Sequence, residues 1–369
     1  MSPFWRLERL LPEYVKNFEA YIPSRPDAEL MKLFGCARLH RLNNNENPLG
    51  PSEEAKKAIH SFDLKKVATY PSGDSFYLRN RLAQLFHKTR DQFLVGNGAN
   101  EVIAFVIKAF CEQGDNIITA DKTFAVYEWV AKFSGLEARM APLNNFEFDE
   151  QRMLDLIDKK TKIIFVCNPN NPTGTFWNVS RFKAFMQSVG PDRIVVLDEA
   201  YAEFVEDESY PDGIRLVEEY DNLVVFRTFS KMYGLAGLRI GYLCANEQTV
   251  NAIRKTCVVY SVNGLAQTAA LASLESNDHV RQTRELMKQA KYFLKEQLEE
   301  LSLDYVIGEG NFIMVKLPMS DTLAYRMLMK RGLMVRTMSG FRFPGYIRVS
   351  ISHLDVMGEL VDGLRFILK

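Results

Sequence analysis

Three uninterrupted apolar runs dominate the middle of the chain, and each stops on polar residues. IIFVCNP spans 163–169, IVVLDEAY 194–201 and LVVFRTFSK 223–231. A strand with one wet face alternates apolar and polar residues. A strand covered on both faces by helices reads as a continuous apolar run. The runs therefore predict parallel strands inside an α/β sheet. Ligands in such sheets gather beyond the carboxyl ends of the strands. The polar residues stand at those ends: Asn168 and Asn171, Asp198, and Ser230 with Lys231. A fourth strand is expected over RIGYLCA, 239–245.

Helical periodicity predicts helices over 52–62, 77–87, 100–111 and 178–189. The short apolar run NIITA, Asn116–Ala120, follows Gly114, which suits a helix C-terminus. From about Ala266 a long helical stretch is expected to about Leu301. After it come a strand at Phe312–Lys316, a helix over 321–330, short strands near Met334 and Ile347, and a last helix. A length of 369 residues suits two lobes. The expected architecture is α/β. A large domain, 49–265, has a mostly parallel sheet covered by helices, and a smaller α/β domain occupies 266–369. Residues 1–48 form an N-terminal arm packed beside the small lobe and contribute part of it.

Charge narrows the function classes. Lys plus Arg and Asp plus Glu number 46 each, so no global field draws the chain to nucleic acid or an anionic membrane. Any anion site must be local. The five cysteines make no CxxC pattern and read as reduced thiols of a cytoplasmic protein. The five histidines have no metal-ligand spacing. No apolar run approaches a membrane span. The opening MSPFWRLERLLPEYVKNF is amphipathic and lacks the apolar core of a secretory signal.

The chemistry centres on Lys231. A lysine after a strand is usually a solvated end charge. Here Thr228 and Ser230 offer hydroxyls and Arg239 a guanidinium, the makings of a phosphate cradle. A lysine beside such a cradle can condense with an aldehyde carried on the phosphate. Asp198 ends a buried strand, so its carboxylate needs a cationic partner, either a structural arginine or a protonated ring nitrogen. Tyr201 leaves the same strand end. The turn NPNNPTG, 168–174, is fixed by two prolines and a glycine, and Asn171 is expected to point at a ligand. GNGANE, 96–101, is either a plain capped turn or a helix start that binds phosphate through its backbone N–H groups. Phe124 is either core packing or a face on which a flat ring stacks. Arg348, in GYIRVSIS, is either an edge charge or a carboxylate clamp, with Arg336 and Arg342 as nearby cations. Tyr21 and the segment LNNNENPLGP, 42–51, add polar groups near the N-terminus.

With these residues in order from Tyr21 to Arg348, the chain resembles fold type I pyridoxal-phosphate enzymes of the class I/II aminotransferase group. The nearest branch is that of histidinol-phosphate aminotransferase. LNNNENP, NPNNPTG, DEAY, the Ser230-Lys231 pair and GLAGLR carry the resemblance. It implies pyridoxal 5'-phosphate in Schiff-base linkage to Lys231, which also moves protons. It pairs Asp198 with the ring nitrogen, and Asn171 and Tyr201 with the ring oxygen. The phosphate falls to Ala99, Asn100, Ser230, Arg239 and Tyr70, with help from Thr228, and Phe124 stacks on the ring. Arg348 and Arg336, with Tyr21 and Asn171, become substrate contacts.

The resemblance further implies an amino donor such as glutamate, a keto acceptor, and a homodimer in which Tyr70 serves the neighbouring subunit. The sequence departs from the family pattern at Asn100, where Asp is common, and at Ser72 after Tyr70-Pro71. It also departs between Arg336 and Arg348, in VRTMSGFRFPGYIRVSIS. Rival readings are a decarboxylase of a phosphorylated threonine, an aminotransferase for aromatic or other amino acids, and a non-catalytic protein that keeps the fold. Lys231 and Asp198 both being present speaks against the last.

Overall fold

The computed structural model describes residues 8–16, 18 and 25–369. Its strands, in chain order, begin with β1 (His40–Leu42), β2 (Phe93–Gly96), β3 (Asn116–Ala120) and β4 (Glu137–Ala141). β5 (Thr161–Cys167), β6 (Ile194–Asp198), β7 (Leu223–Thr228) and β8 (Gly241–Cys244) follow. The last four are β9 (Tyr305–Ile307), β10 (Phe312–Lys316), β11 (Leu333–Thr337) and β12 (Tyr346–Ser350).

The three apolar runs become β5, β6 and β7, parallel neighbours in a seven-stranded sheet ordered β2-β8-β7-β6-β5-β3-β4. Val195, Val196, Leu197, Leu223 and Val224 are fully buried, as strands sandwiched between helices require. The fourth expected strand, β8, runs antiparallel to β7 and brings the chain back to edge strand β2. The sheet is thus mostly parallel, as expected. The second sheet has order β1-β11-β12-β10-β9 and its own core, with Leu294, Phe312, Val349 and Leu360 among the buried residues.

Two expectations change. The helical stretch from 266 to 301 is two helices, Gly264–Ser273 and Asn277–Glu300. Ser276 interrupts it because its hydroxyl bonds Ser52 and Glu54, at the start of the helix Glu53–His60. The first piece buries Ala266, Ala269 and Ala270 in the large core, and the second reaches the small core from Met287 onward. The N-terminal segment divides between the lobes instead of packing wholly beside the small one. β1 pairs with β11, and Leu30 packs on Met329 and Met334. Phe18, however, meets the rings of Trp129 and Phe133 on the large lobe. The Trp129 and Phe133 rings of the helix Val126–Phe133 give it an apolar surface there.

Candidate active site

A cavity of about 450 Å³ opens beyond the carboxyl ends of β5, β6 and β7, where the two lobes meet. Asp198 and Tyr201 from the end of β6, Thr228, Ser230 and Lys231 from the end of β7, and Asn171 from the turn after β5 all line it. Asn168 and Asn170 face away from it and hold that turn. Asn168 bonds Trp177 through both amide atoms, and Asn170 accepts from Thr123 at 2.8 Å. With its neighbours so tied, Asn171 projects into the cavity.

Asp198 is 2% exposed. It accepts from the Tyr127 hydroxyl and, at 3.0 Å, from the Ala200 N–H. No arginine or lysine pairs with it among the described residues, which leaves a protonated ring nitrogen as the partner of the two that the sequence allowed. Burial therefore pushes its carboxyl above the ordinary range, against the pull of the Tyr127 and Ala200 hydrogen bonds. A buried acceptor of this kind has a strong electrostatic preference for a cation delivered through the cavity.

Lys231 is half-buried on the cavity wall, and its Nζ donates to the Asn44 carbonyl at 2.7 Å. Protein atoms crowd the ammonium and push it down to about 7. Arg348 and Arg239 push the same way, and Glu46 opposes them. A free amine is thereby available near neutral pH. The Tyr201 hydroxyl receives N–H groups from Asn45 (2.9 Å) and Asn171 (3.3 Å), which leaves its own proton to point elsewhere.

A cationic cradle forms one end of the cavity. The helix Ala99–Phe110 begins there after Gly98 at φ 80°, so the first N–H groups face the cavity end with Ala99 and Asn100. The positive φ is what favours glycine at 98; a Cβ there would also meet the Arg239 Nη2 at 2.4 Å, a contact that the long side chain could relieve by moving. Ser230 stands beside them, its N–H held by Thr228 Oγ1 at 3.1 Å. Phe124 lines another wall, edge-on to Tyr127 at 5.5 Å.

The small lobe supplies two guanidinium groups. Arg336 and Arg348 are register partners across β11 and β12, and both line the cavity. Arg348 is buried. Its Nη1 donates to Asn171 Oδ1 (2.5 Å) and its Nη2 to the Asn43 carbonyl (2.6 Å), while its Nε has no partner. Burial lowers it to about 10; Tyr201 opposes that shift and Arg336 adds to it. Two guanidinium groups on one cavity wall favour an anion there.

The cavity thus gathers every expected site residue except two. Tyr70 is 82% exposed, stacked on Tyr260, and lies outside the lining. Tyr21 lies outside the described residues. Sequence reasoning missed Tyr127, Phe341 and the individual roles of 43–47. Asn43 and Asn44 act through backbone carbonyls, and Asn47 donates to the carbonyl of Met232, the residue after Lys231 (2.7 Å). The Asn-rich run 43–47 was the available signal.

A flat cationic ring with a phosphate arm fits this donor set. It would bring a positive charge to Asp198, an anion to the Arg239 end and an aldehyde within the reach of an unprotonated lysine. Comparison with known proteins agrees. The family model for aminotransferase class I and II matches residues 38–364. A histidinol-phosphate aminotransferase of Caldicellulosiruptor saccharolyticus is 36% identical over 96% of this chain and 99% of its own length. One from Hydrogenovibrio crunogenus is 38% identical over 95% of this chain and 94% of its own. The crystal structure of the Sinorhizobium meliloti histidinol-phosphate aminotransferase, in complex with pyridoxal-5'-phosphate, superposes with a TM-score of 0.87. It is 22% identical and covers 97% of both chains, which speaks to the fold. The chain belongs to the class I and II aminotransferases.

Proposed function

We propose that this chain is a pyridoxal-phosphate-dependent aminotransferase acting on histidinol phosphate, with 2-oxoglutarate and glutamate as the keto acid and amino acid pair. The observation that carries the reading is the convergence of four titratable groups on one cavity. They are Lys231, whose ammonium is pushed down to about 7, the buried Asp198 carboxylate, and the Arg336 and Arg348 pair. Relatives named for histidinol phosphate support the substrate.

Bound pyridoxal phosphate supplies an aldehyde that captures amino groups and a cationic ring that draws electrons from the substrate Cα. This chain's residues do the rest. Asp198 keeps the ring nitrogen protonated, with Tyr127 fixing the carboxylate. Tyr201 and Asn171 orient the ring oxygen, and Phe124 packs on the ring face. The N-terminus of the helix Ala99–Phe110, with Asn100, Ser230 and Arg239, grips the phosphate, and Thr228 supports Ser230. Lys231 Nζ would take the proton from the substrate Cα and deliver it to C4′ of the cofactor. Arg348, Arg336 and Asn171 bind the substrate's anionic end, with Tyr21 as a further contact.

The working unit in this reading is a cytoplasmic homodimer. Tyr70, Tyr77, Val258, Val259 and Tyr260 are exposed apolar side chains, with Tyr70 stacked on Tyr260, and in this reading a second copy covers them. Tyr70 then reaches the partner's cofactor phosphate. The test is direct. Purified protein with pyridoxal phosphate, histidinol phosphate and 2-oxoglutarate should produce glutamate, and Lys231→Ala should not. No glutamate from histidinol phosphate while another amino donor reacts, or carbon dioxide release when phosphorylated threonine is supplied instead, would refute the assignment.

A further inference from the structure

Arg342 lies in the stretch between Arg336 and Arg348 that departs from the family pattern, and the site as described does not use it. Its backbone is left-handed, φ 61°, a conformation that carries a steric penalty for any residue with a Cβ. Its side chain leaves the small lobe and grips the large one. Nη1 donates to the Asp121 carbonyl at 2.6 Å, and Nη2 reaches both oxygens of Glu128, at 3.2 and 3.1 Å. Burial alone would raise the Glu128 carboxyl. Lys132 and Arg342 reverse that and hold it below the usual carboxylate range.

The placement of these partners gives the contact a consequence for the cavity. Asp121 and Glu128 flank Phe124 in the chain, and Phe124 lines the cavity from the large lobe. Phe341, the residue before Arg342, lines it from the small lobe. The Phe341 ring lies 5.6 Å from the Arg336 guanidinium and 5.9 Å from that of Arg348. One side chain outside the cavity therefore ties together two segments whose aromatic residues, one from each lobe, both line its wall.

We propose that Arg342 is a positioning residue. By clamping the 339–343 turn to Asp121 and Glu128, it sets Phe341 against Arg336 and Arg348 and so tunes affinity for the anionic substrate. The proposal rests on the histidinol-phosphate reading above. Arg342 touches neither cofactor nor reacting atoms, so its loss acts on substrate binding and leaves the chemistry alone.

The experiment compares wild type, Arg342→Ala, Arg342→Lys and Glu128→Gln as pyridoxal-phosphate holoenzymes with histidinol phosphate. Removing the clamp should raise KM about two- to fivefold, the range of an exposed ion pair. At the same time kcat should stay within about twofold, the pattern of lost ground-state binding. Cofactor absorbance should be unchanged, and Arg342→Lys should recover part of the loss. Unchanged KM in both Arg342→Ala and Glu128→Gln overturns the proposal. So does a fall in kcat with unchanged KM, or a displaced cofactor absorbance, since either marks a general structural effect. Glu128→Gln keeps the side-chain shape and decides the matter alone if Arg342→Ala does not fold. Failure of wild type to use histidinol phosphate would instead refute the functional reading, a result distinct from these.

Discussion

The Tyr127 hydroxyl donates to the Asp198 carboxylate, and both groups are buried beneath the cavity. The hydrogen bond favours the ionised acid, against burial, which favours the neutral one. Tyr127→Phe removes the donor and keeps the ring, including its stack on Phe165 at 4.7 Å. The Asp198 pKa then rises further, and the carboxylate holds a cationic ring less firmly. A hydrogen bond to a charged group contributes about 1.5–3 kcal/mol, so cofactor affinity and kcat should each fall by about tenfold or more. Equilibrium titration with pyridoxal phosphate and steady-state kinetics check this. Wild-type affinity in the variant would show that Asp198 needs no such support.

Lys231 gives a prediction with a defined sign. Its ammonium titrates at about 7 in the folded chain, against 10.5 for an ordinary lysine. Between those values the unfolded chain binds a proton that the folded chain lacks. Stability of the cofactor-free protein therefore rises with pH across that window, and the penalty of burying the charge is complete below it. Lys231→Met removes the penalty. The variant's Tm should exceed that of wild type at pH 6.5, and the gap should narrow by pH 9. Thermal unfolding of cofactor-free samples across that range is the measurement. Parallel curves would mean that the lysine is not strained by its surroundings.

Much of this site was legible because its carriers sit at the ends of apolar runs. Asp198 could be picked out because a carboxylate ending a buried strand needs a partner, and Lys231 because the Thr228 and Ser230 hydroxyls and the Arg239 guanidinium stand near it in the chain. β3 and β10 match their expected limits for the same reason, as compact apolar runs. Tyr127 could not be read in this way. It lies in an amphipathic helix, Val126–Phe133, where an inward tyrosine looks like any core aromatic. Asn43 and Asn44 were hidden more deeply, since they hold Arg348 and Lys231 through backbone carbonyls, which every residue possesses. The break at Ser276 depends on Ser52 and Glu54, more than two hundred residues away. Local periodicity carries no trace of such a contact.

Arg348 presents a test of the anion site. Two of its three nitrogens are bound to Asn171 and the Asn43 carbonyl, and the buried Nε has no partner. Lysine offers one point charge and cannot satisfy Asn171, Asn43 and a ligand in the same geometry. Arg348→Lys should raise KM for the anionic substrate about tenfold or more, a loss of at least one charge-assisted hydrogen bond. Arg336→Ala should cost less, because Arg336 is solvent-exposed and more easily replaced by water. Equal effects from the two changes would indicate that both arginines share the ligand evenly.

Tyr70 supplies the sharpest test of the proposed dimer. It is exposed, stacks on Tyr260 at 4.8 Å and does not line the cavity of its own chain. If it serves the partner's cofactor phosphate, Tyr70→Ala should weaken pyridoxal phosphate binding about tenfold, the loss of one hydrogen bond to a charged group. Mixing then separates the two arrangements. In a mixed dimer of Lys231→Ala and Tyr70→Ala subunits, one shared site carries both lesions. The other combines Lys231 from one chain with Tyr70 from its partner and carries neither. Mixed samples, re-equilibrated through dissociation, should regain sites with wild-type cofactor affinity and turnover, although both parents are defective. A tyrosine acting within its own subunit would leave every site with one lesion, and mixing would restore nothing.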